Sequence, residues 1–139
     1  MTESKVDRYL LDTTALLAHY RGEPGAAVVH SLLEDDQKDI LICAASITEF
    51  ARRLQALGAG REDTRKAALD YAGLASEVVA IDAALATRAF ELGNLASERL
   101  PLVDAFIASA ASIRNAVLVH RDSHFTSLPS DMLSQMFLG

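Results

Sequence analysis

Residues 9–20 read YLLDTTALLAHY, and the fold depends on how that stretch is parsed. Tyr9, Leu10 and Leu11 form an apolar run suited to a buried strand, Asp12 follows directly, and Thr13 and Thr14 open a segment that starts a helix. A buried strand that ends on a carboxylate needs a reason, because an unpaired charge is costly away from water. Further along, DILICAA (39–45), EVVAID (77–82) and AVLVH (116–120) repeat the short apolar run that RYLLD (8–12) begins. Amphipathic segments separate them. Strands alternating with helices give right-handed crossovers and a parallel sheet covered on both faces, so the fold class is expected to be α/β.

The intervening segments carry helical periodicity. Within 46–57, Ile47, Phe50, Ala51, Leu54 and Leu57 line one face, and within 83–95 so do Leu85, Ala86, Ala89, Phe90 and Leu92. Gly58 and Gly60 separate two helices, and Pro101 suits the first turn of a helix running to about Asn115. The tail SLPSDMLSQMFLG reads as an edge strand near 132–138 or a short helix, the strand being preferred. No internal repeat, low-complexity tract or linker interrupts the chain, which reads as a single domain over residues 1–139.

Composition narrows the chemistry. One cysteine, Cys43 inside an apolar run, excludes a disulfide framework and a thiolate zinc cluster. The start MTESKVDR has no apolar leader core, and no apolar run is long enough to span a bilayer, so a cytoplasmic protein is expected. Thirteen basic against nineteen acidic side chains leave a formal charge of −6, which opposes non-specific attraction to nucleic acid. Any RNA or DNA contact must then be local, through a basic patch or a bound cation.

Ligands of open parallel sheets collect outside the carboxyl ends of the strands. That rule selects Asp12 at the end of the first strand, Glu49 in the first turn of the helix after the second, Asp104 just after Pro101, and Asp122 past the last clear strand. Two carboxylates about 4 Å apart repel by roughly 4 kcal/mol at an effective dielectric near 20. A rim of four acids therefore invites a hard divalent cation, Mg²⁺ or Mn²⁺. Plainer roles compete: Ser46-Ile47-Thr48-Glu49 spells a capping box with Arg53 an i,i+4 partner, Asp104 could complement a helix N-terminus, and Asp122 could serve a turn. Thr14 could orient a water or a phosphate oxygen, or Thr13 and Thr14 could cap the first helix in place of Asp12. Asp82 reads as the N-cap of the following helix.

Taken in order, LLDTTALLA, SITEF, LPLVDAFIASAA and LVHRDSHF resemble the PIN-domain family, most closely the VapC-type toxin ribonucleases of bacterial toxin–antitoxin pairs, from residue 9 to about 128. The resemblance implies a three-layer α/β/α sandwich with a central parallel sheet and cleavage of RNA at an acidic pocket that depends on Mg²⁺ or Mn²⁺. By position, Asp12 matches the acid that opens the family pattern, Glu49 the acid on the helix after the second strand, Asp104 the acid of the DAxIA helix, and Asp122 the acid after the last motif's strand. Thr14 occupies the small hydroxyl or amide position two after the first acid. Where family members usually carry Thr or Ser two residues before the final acid, this chain has His120, a departure that bears on the geometry around Asp122.

On this resemblance the four acids would hold one or two ions, a carboxylate would take the proton of the attacking water, and the products would carry a 5′ phosphate and a 3′ hydroxyl. Candidate RNA contacts are Arg52, Arg53, Arg121 and His124, with a solvated charged face as the plainer reading of each. The family also implies a basic-tailed antitoxin laid over the pocket and a homodimer. Leu57, Leu69 and Tyr71 are candidates for dimerisation or docking, with core packing as the default. Two other classes compete: a non-catalytic interaction module, and an aspartate-based phosphotransfer domain, which lacks its second acid because Thr14 stands there.

Overall fold

A computed structural model describes residues 7–139; the N-terminal MTESKV, on which part of the leader reading above falls, lies outside the described residues. The strands are β1 (Asp7–Leu11), β2 (Lys38–Cys43), β3 (Glu77–Val79), β4 (Val117–His120) and β5 (Gln135–Phe137). The helices are α1 (Thr13–Arg21), α2 (Ala26–Glu34), α3 (Ala44–Ala56), α4 (Arg61–Leu74), α5 (Ala83–Leu95) and α6 (Leu102–Ile113), with a 3₁₀ turn at Ser123–Ser127. All strand pairs are parallel, in the order β3-β2-β1-β4-β5.

The two-residue period of the strands sorts their side chains onto two faces. Leu10, Leu41, Cys43, Val79 and Leu118 pack with Leu85 and Leu92 of α5 and Ile107 and Ala108 of α6. Their neighbours Leu11, Ile40, Ile42 and Val119 point the other way, onto Leu16, Val29, Phe50, Leu54 and Tyr71 of α1 to α4. The result is a three-layer α/β/α sandwich whose sheet is apolar on both faces, the arrangement that parallel strands require. Register places Leu11 opposite Ile42 on one side and Val119 on the other, so β1, β2 and β4 end close together.

The order of strands reverses beside β1. From β1 the chain winds outward through β2 to β3, then returns to the other side for β4 and β5. The crevice between the ends of β1 and β4 is thus the topological switch point, the usual place for a ligand in an open parallel sheet.

Several sequence expectations are corrected. DILICAA does not stay extended to residue 45: α3 begins at Ala44, consistent with the high helix propensity of the Ala pair. Ser46 is therefore already inside the helix, Cys43 is the N-cap, and no capping box forms. Ser46 Oγ is buried with no hydrogen-bond partner among the described residues, and Glu49 lies in the second helical turn rather than the first. EVVAID contracts to three paired residues, because Asp82 leaves the strand to cap α5 by accepting the Leu85 N–H at 2.9 Å.

Phe90 is 71% exposed, although periodicity put it on the buried stripe of α5. It follows Ala89 by about 100° around the helix, and the face actually buried is Leu85, Ala89 and Leu92. Leu57, expected on the buried face of α3, is exposed where that helix ends; Leu69 is exposed too, whereas Tyr71 belongs to the core. The tail forms its edge strand, shorter than anticipated, at Gln135–Phe137. No helix among the described residues is long and apolar enough to cross a membrane.

Candidate active site

Asp12 is the first residue after β1, and its surroundings explain how a core strand tolerates ending on an acid. Only 2% exposed, it caps α1 by accepting the Ala15 N–H at 2.8 Å. The acid itself is the cap; neither threonine fills that role. Thr14 instead donates its hydroxyl to the Asp12 carboxylate at 2.7 and 2.9 Å and accepts the backbone N–H of Arg121 at 2.8 Å. One hydroxyl thereby ties the end of β1 to the loop after β4. Thr13 Oγ1 is buried and finds no partner among the described residues.

Two donors, the Ala15 N–H and the Thr14 hydroxyl, do not relieve Asp12 completely. Burial pushes its carboxyl from 3.8 up to about 7, against the Ala15 and Thr14 hydrogen bonds that lower it, and the charges of Asp122 and Asp104 push it further in the same direction. Asp104, in the first turn of α6 and 6% exposed, is raised to about 6 by burial first and then by Asp122, with Glu49 adding to the repulsion. The residues from β1, α3, α6 and the β4 loop thus share one field. The acids expected at the rim converge there, with Asp12, Asp104 and Asp122 at its centre and Glu49 at its margin, where it pairs with Arg53 at 3.7 Å.

His124 completes the cluster in a way the sequence did not reveal. Its Nδ1 lies 3.0 Å from Asp104 Oδ2 and 3.0 Å from Asp122 Oδ1, so one imidazole N–H bridges two carboxylates. The hydrogen bond to Asp104 and the charge of Asp122 raise its pKa above the ordinary histidine range. The 3₁₀ turn aims it there, and Asp122 caps that turn by accepting the His124 N–H at 2.9 Å. His124 was expected as an RNA contact; in the folded chain its ring is half-exposed and its Nδ1 turns to Asp104 and Asp122.

His120, the departure from the family pattern, is 1% exposed and fully used. Its Nδ1 accepts the Asp122 N–H at 3.1 Å, which leaves the proton on Nε2 to donate to Gln135 Oε1 at 2.8 Å. Gln135 in turn donates to the Phe125 carbonyl at 3.0 Å. Burial lowers the pKa of His120, favouring the neutral ring that this pattern needs. A histidine can therefore hold the backbone of Asp122 where a shorter hydroxyl residue is usual.

The remaining cations take different positions. Arg121 turns to Glu23 at 3.4 Å and Arg53 to Glu49, whereas Arg52 is exposed and has no ion-pair partner among the described residues. The donor set suits a hard divalent cation, being carboxylate oxygens with one imidazole and no thiolate. Burial first, and the charges of the neighbouring acids after it, raise the Asp12 and Asp104 carboxyls, and a cation held by these oxygens would offset both.

Comparison with known proteins follows the same line. The family described as "PIN domain" matches residues 9–130. No curated protein sequence matches the chain. Among solved structures, VapBC2 from Rickettsia felis, bound to a DNA fragment from its promoter, superposes with a TM-score of 0.73 at 18% identity, covering 95% of this chain and 99% of that one. DNA-bound VapBC from Salmonella typhimurium gives 0.74 at 14% identity over 96% and 99% of the two chains. VapC20 of Mycobacterium tuberculosis, a sarcin-ricin loop cleaving toxin, gives 0.64 at 17% identity over 86% and 93%. At these identities the superpositions speak for the fold, and the match over residues 9–130 speaks for the family: the chain belongs to the PIN-domain family.

Proposed function

We propose that this protein is a divalent-metal-dependent endoribonuclease acting as the VapC-type toxin of a toxin–antitoxin pair. The observation that carries the proposal is the buried Asp12 carboxylate at the switch point of the sheet, beside Asp104 and Asp122, whose ligand atoms and that of His124 lie within 4.8 Å of one another. Family membership supports nuclease chemistry, and the structural neighbours are VapBC complexes and an RNA-cleaving VapC.

Asp12, Asp104 and Asp122, with Glu49 at the margin, would hold one or two Mg²⁺ or Mn²⁺ ions. A bound divalent cation supplies Lewis acidity toward water and charge neutralisation at the scissile phosphate. The chain's own groups do the rest. Thr14 and the Ala15 N–H fix the orientation of the Asp12 carboxylate, and His120 fixes the backbone of Asp122. In the cation-free protein Asp12 and Asp104 sit at about 7 and about 6, and a bound divalent cation would hold both carboxylates ionised. His124 Nδ1 holds a proton between Asp104 and Asp122 in the cation-free protein, and its half-exposed ring has room to turn outward.

Partners follow from charge and surface. An acidic protein that must grip a polyanion would be held in check by a basic antitoxin segment across the carboxylates. Leu57 and Leu69 on the α3–α4 side, and Phe90 and Leu102 on the α5–α6 side, are large exposed apolar residues on which an antitoxin and a second copy of the chain would seat.

The test is cleavage of RNA by the purified protein in Mg²⁺ or Mn²⁺, with and without EDTA, beside Asp12→Asn and Asp104→Asn. Cutting that needs the cation and falls at least a hundredfold in both variants is expected. Undiminished cutting by both variants would overturn the assignment.

A further inference from the structure

Beside the acid cluster lies a cavity of about 540 Å³ between α3, the start of α6 and the β3–α5 connection. Ala45, Val103, Phe106 and Ile81 form most of its wall, and Thr48, Glu49, Arg52 and Arg53 bring polar groups to it. Its size falls within the roughly 300–1,000 Å³ typical of small-ligand pockets, and a mostly apolar wall with a few polar groups is the usual construction of such sites.

Glu49 belongs to both places: it lines the cavity, and its charge reaches Asp104. Val103 and Phe106 of the cavity flank Asp104 on the same helix. A ligand in the cavity is therefore a near neighbour of whatever binds the carboxylates.

We propose that this cavity receives one unpaired nucleobase of the RNA substrate, next to the scissile phosphate, and that Phe106 and Arg52 are its specificity-determining residues. The inference rests on the ribonuclease reading given above and adds to it a subsite that reads one base. Three features single out this occupant. The protein has a formal charge of −6, so RNA must be held by a local cation, and Arg52, exposed at the cavity without an ion-pair partner among the described residues, is such a cation. Arg53 is less available because Glu49 engages it. Phe106, half-buried, gives the apolar part of the wall its aromatic surface, the element on which splayed-out bases stack. Thr48 supplies a hydroxyl able to donate to or accept from a base edge.

Short single-stranded oligoribonucleotides, each carrying one 2-aminopurine, test this with the full chain in Ca²⁺, read by fluorescence and by affinity. Wild type is expected to quench the probe at one position of the strand. Phe106→Ala should abolish that quenching and weaken binding by about 5- to 150-fold, the range that one base–aromatic stack represents. Phe106→Leu, which keeps most of the apolar volume and guards against a folding defect in the alanine variant, should also lose the quenching. Arg52→Gln should keep it, while lowering the slope of log affinity against log salt by about 0.7, as for one phosphate contact to a single strand.

Equal affinity and quenching in wild type, Phe106→Ala and Phe106→Leu would overturn the proposal. A second copy of the chain filling the cavity and not displaced by RNA would overturn it as well. Cleavage by wild type without a Phe106 effect leaves the ribonuclease reading and removes the pocket; position-specific quenching without any cleavage does the reverse.

Discussion

Asp12→Asn should make the cation-free protein more stable, although it removes the best-connected acid of the site. The Asp12 carboxyl is carried from 3.8 to about 7 by burial. At pH 8 an ionised group so shifted destabilises the fold by about 4 kcal/mol relative to a neutral one in the same place. Asparagine keeps an oxygen for the Ala15 N–H. Its amide, however, meets the Thr14 hydroxyl, which now donates to the carboxylate and already accepts from Arg121. Rearranging that contact costs about 1 kcal/mol, so a net gain on the order of 2–3 kcal/mol is expected. Because the folded pKa lies above the unfolded one, the wild type is most stable below pH 3.8 as far as Asp12 is concerned and loses that contribution as pH rises to about 7.

Urea denaturation in EDTA measures the effect: the variant's advantage should be full at pH 8 and shrink toward pH 4. Saturating Mn²⁺ should reverse the order, since binding stabilises the wild type by mass action. A variant less stable than wild type at pH 8 in EDTA, or an advantage that does not change with pH, would refute the reasoning that burial governs Asp12.

Thr14→Val strands the Arg121 N–H and removes a donor from Asp12, and should cost about 1–3 kcal/mol in the same denaturation assay. His120→Ala should cost roughly 2–4 kcal/mol by opening a cavity and releasing Asp122 and Gln135; in wild type, long-range proton–nitrogen spectra should find His120 as the neutral Nε2–H form and titrating below the ordinary histidine range. His124 should titrate above that range in EDTA, and the stability linked to its proton should be present below pH 6.5 and vanish as pH rises through its raised pKa. Leu92→Ala, at a fully buried position, should cost about 2–5 kcal/mol, whereas Phe90→Ser at its exposed neighbour should stay within about 0.5 kcal/mol for the monomer and shift any dimer seen by light scattering toward the monomer.

The architecture was legible because strand and helix periods differ. The apolar runs at Tyr9–Leu11 and Val117–His120 could be read as buried strands, and the acids placed after them, Asp12 and Asp122, followed from the rule for parallel sheets. Boundaries were harder. Ser46 and Glu49 have capping-box spacing, yet the helix starts three residues earlier than that spacing implies, with Cys43 as its N-cap, so Ser46 lies inside it and no box forms. Phe90 fitted a helical stripe by number, but which stripe faces the sheet is decided by how α5 lies against α6. His124 was legible only as a basic residue near an acid. Its bridge between Asp104 and Asp122 depends on a 3₁₀ turn and on the approach of α6, contacts about 20 residues apart that no local pattern records. The role of His120 likewise waits on Gln135, which reaches it from the edge strand β5.

Calorimetric titration of the apo protein with Mn²⁺ at pH 6 and pH 8 is the most direct examination of a carboxylate cluster built around a cation. Saturable binding that releases more protons at pH 6 than at pH 8, and that Asp12→Asn and Asp104→Asn each weaken at least tenfold, is the expected result. Absence of saturable binding, or binding indifferent to both substitutions, would contradict it.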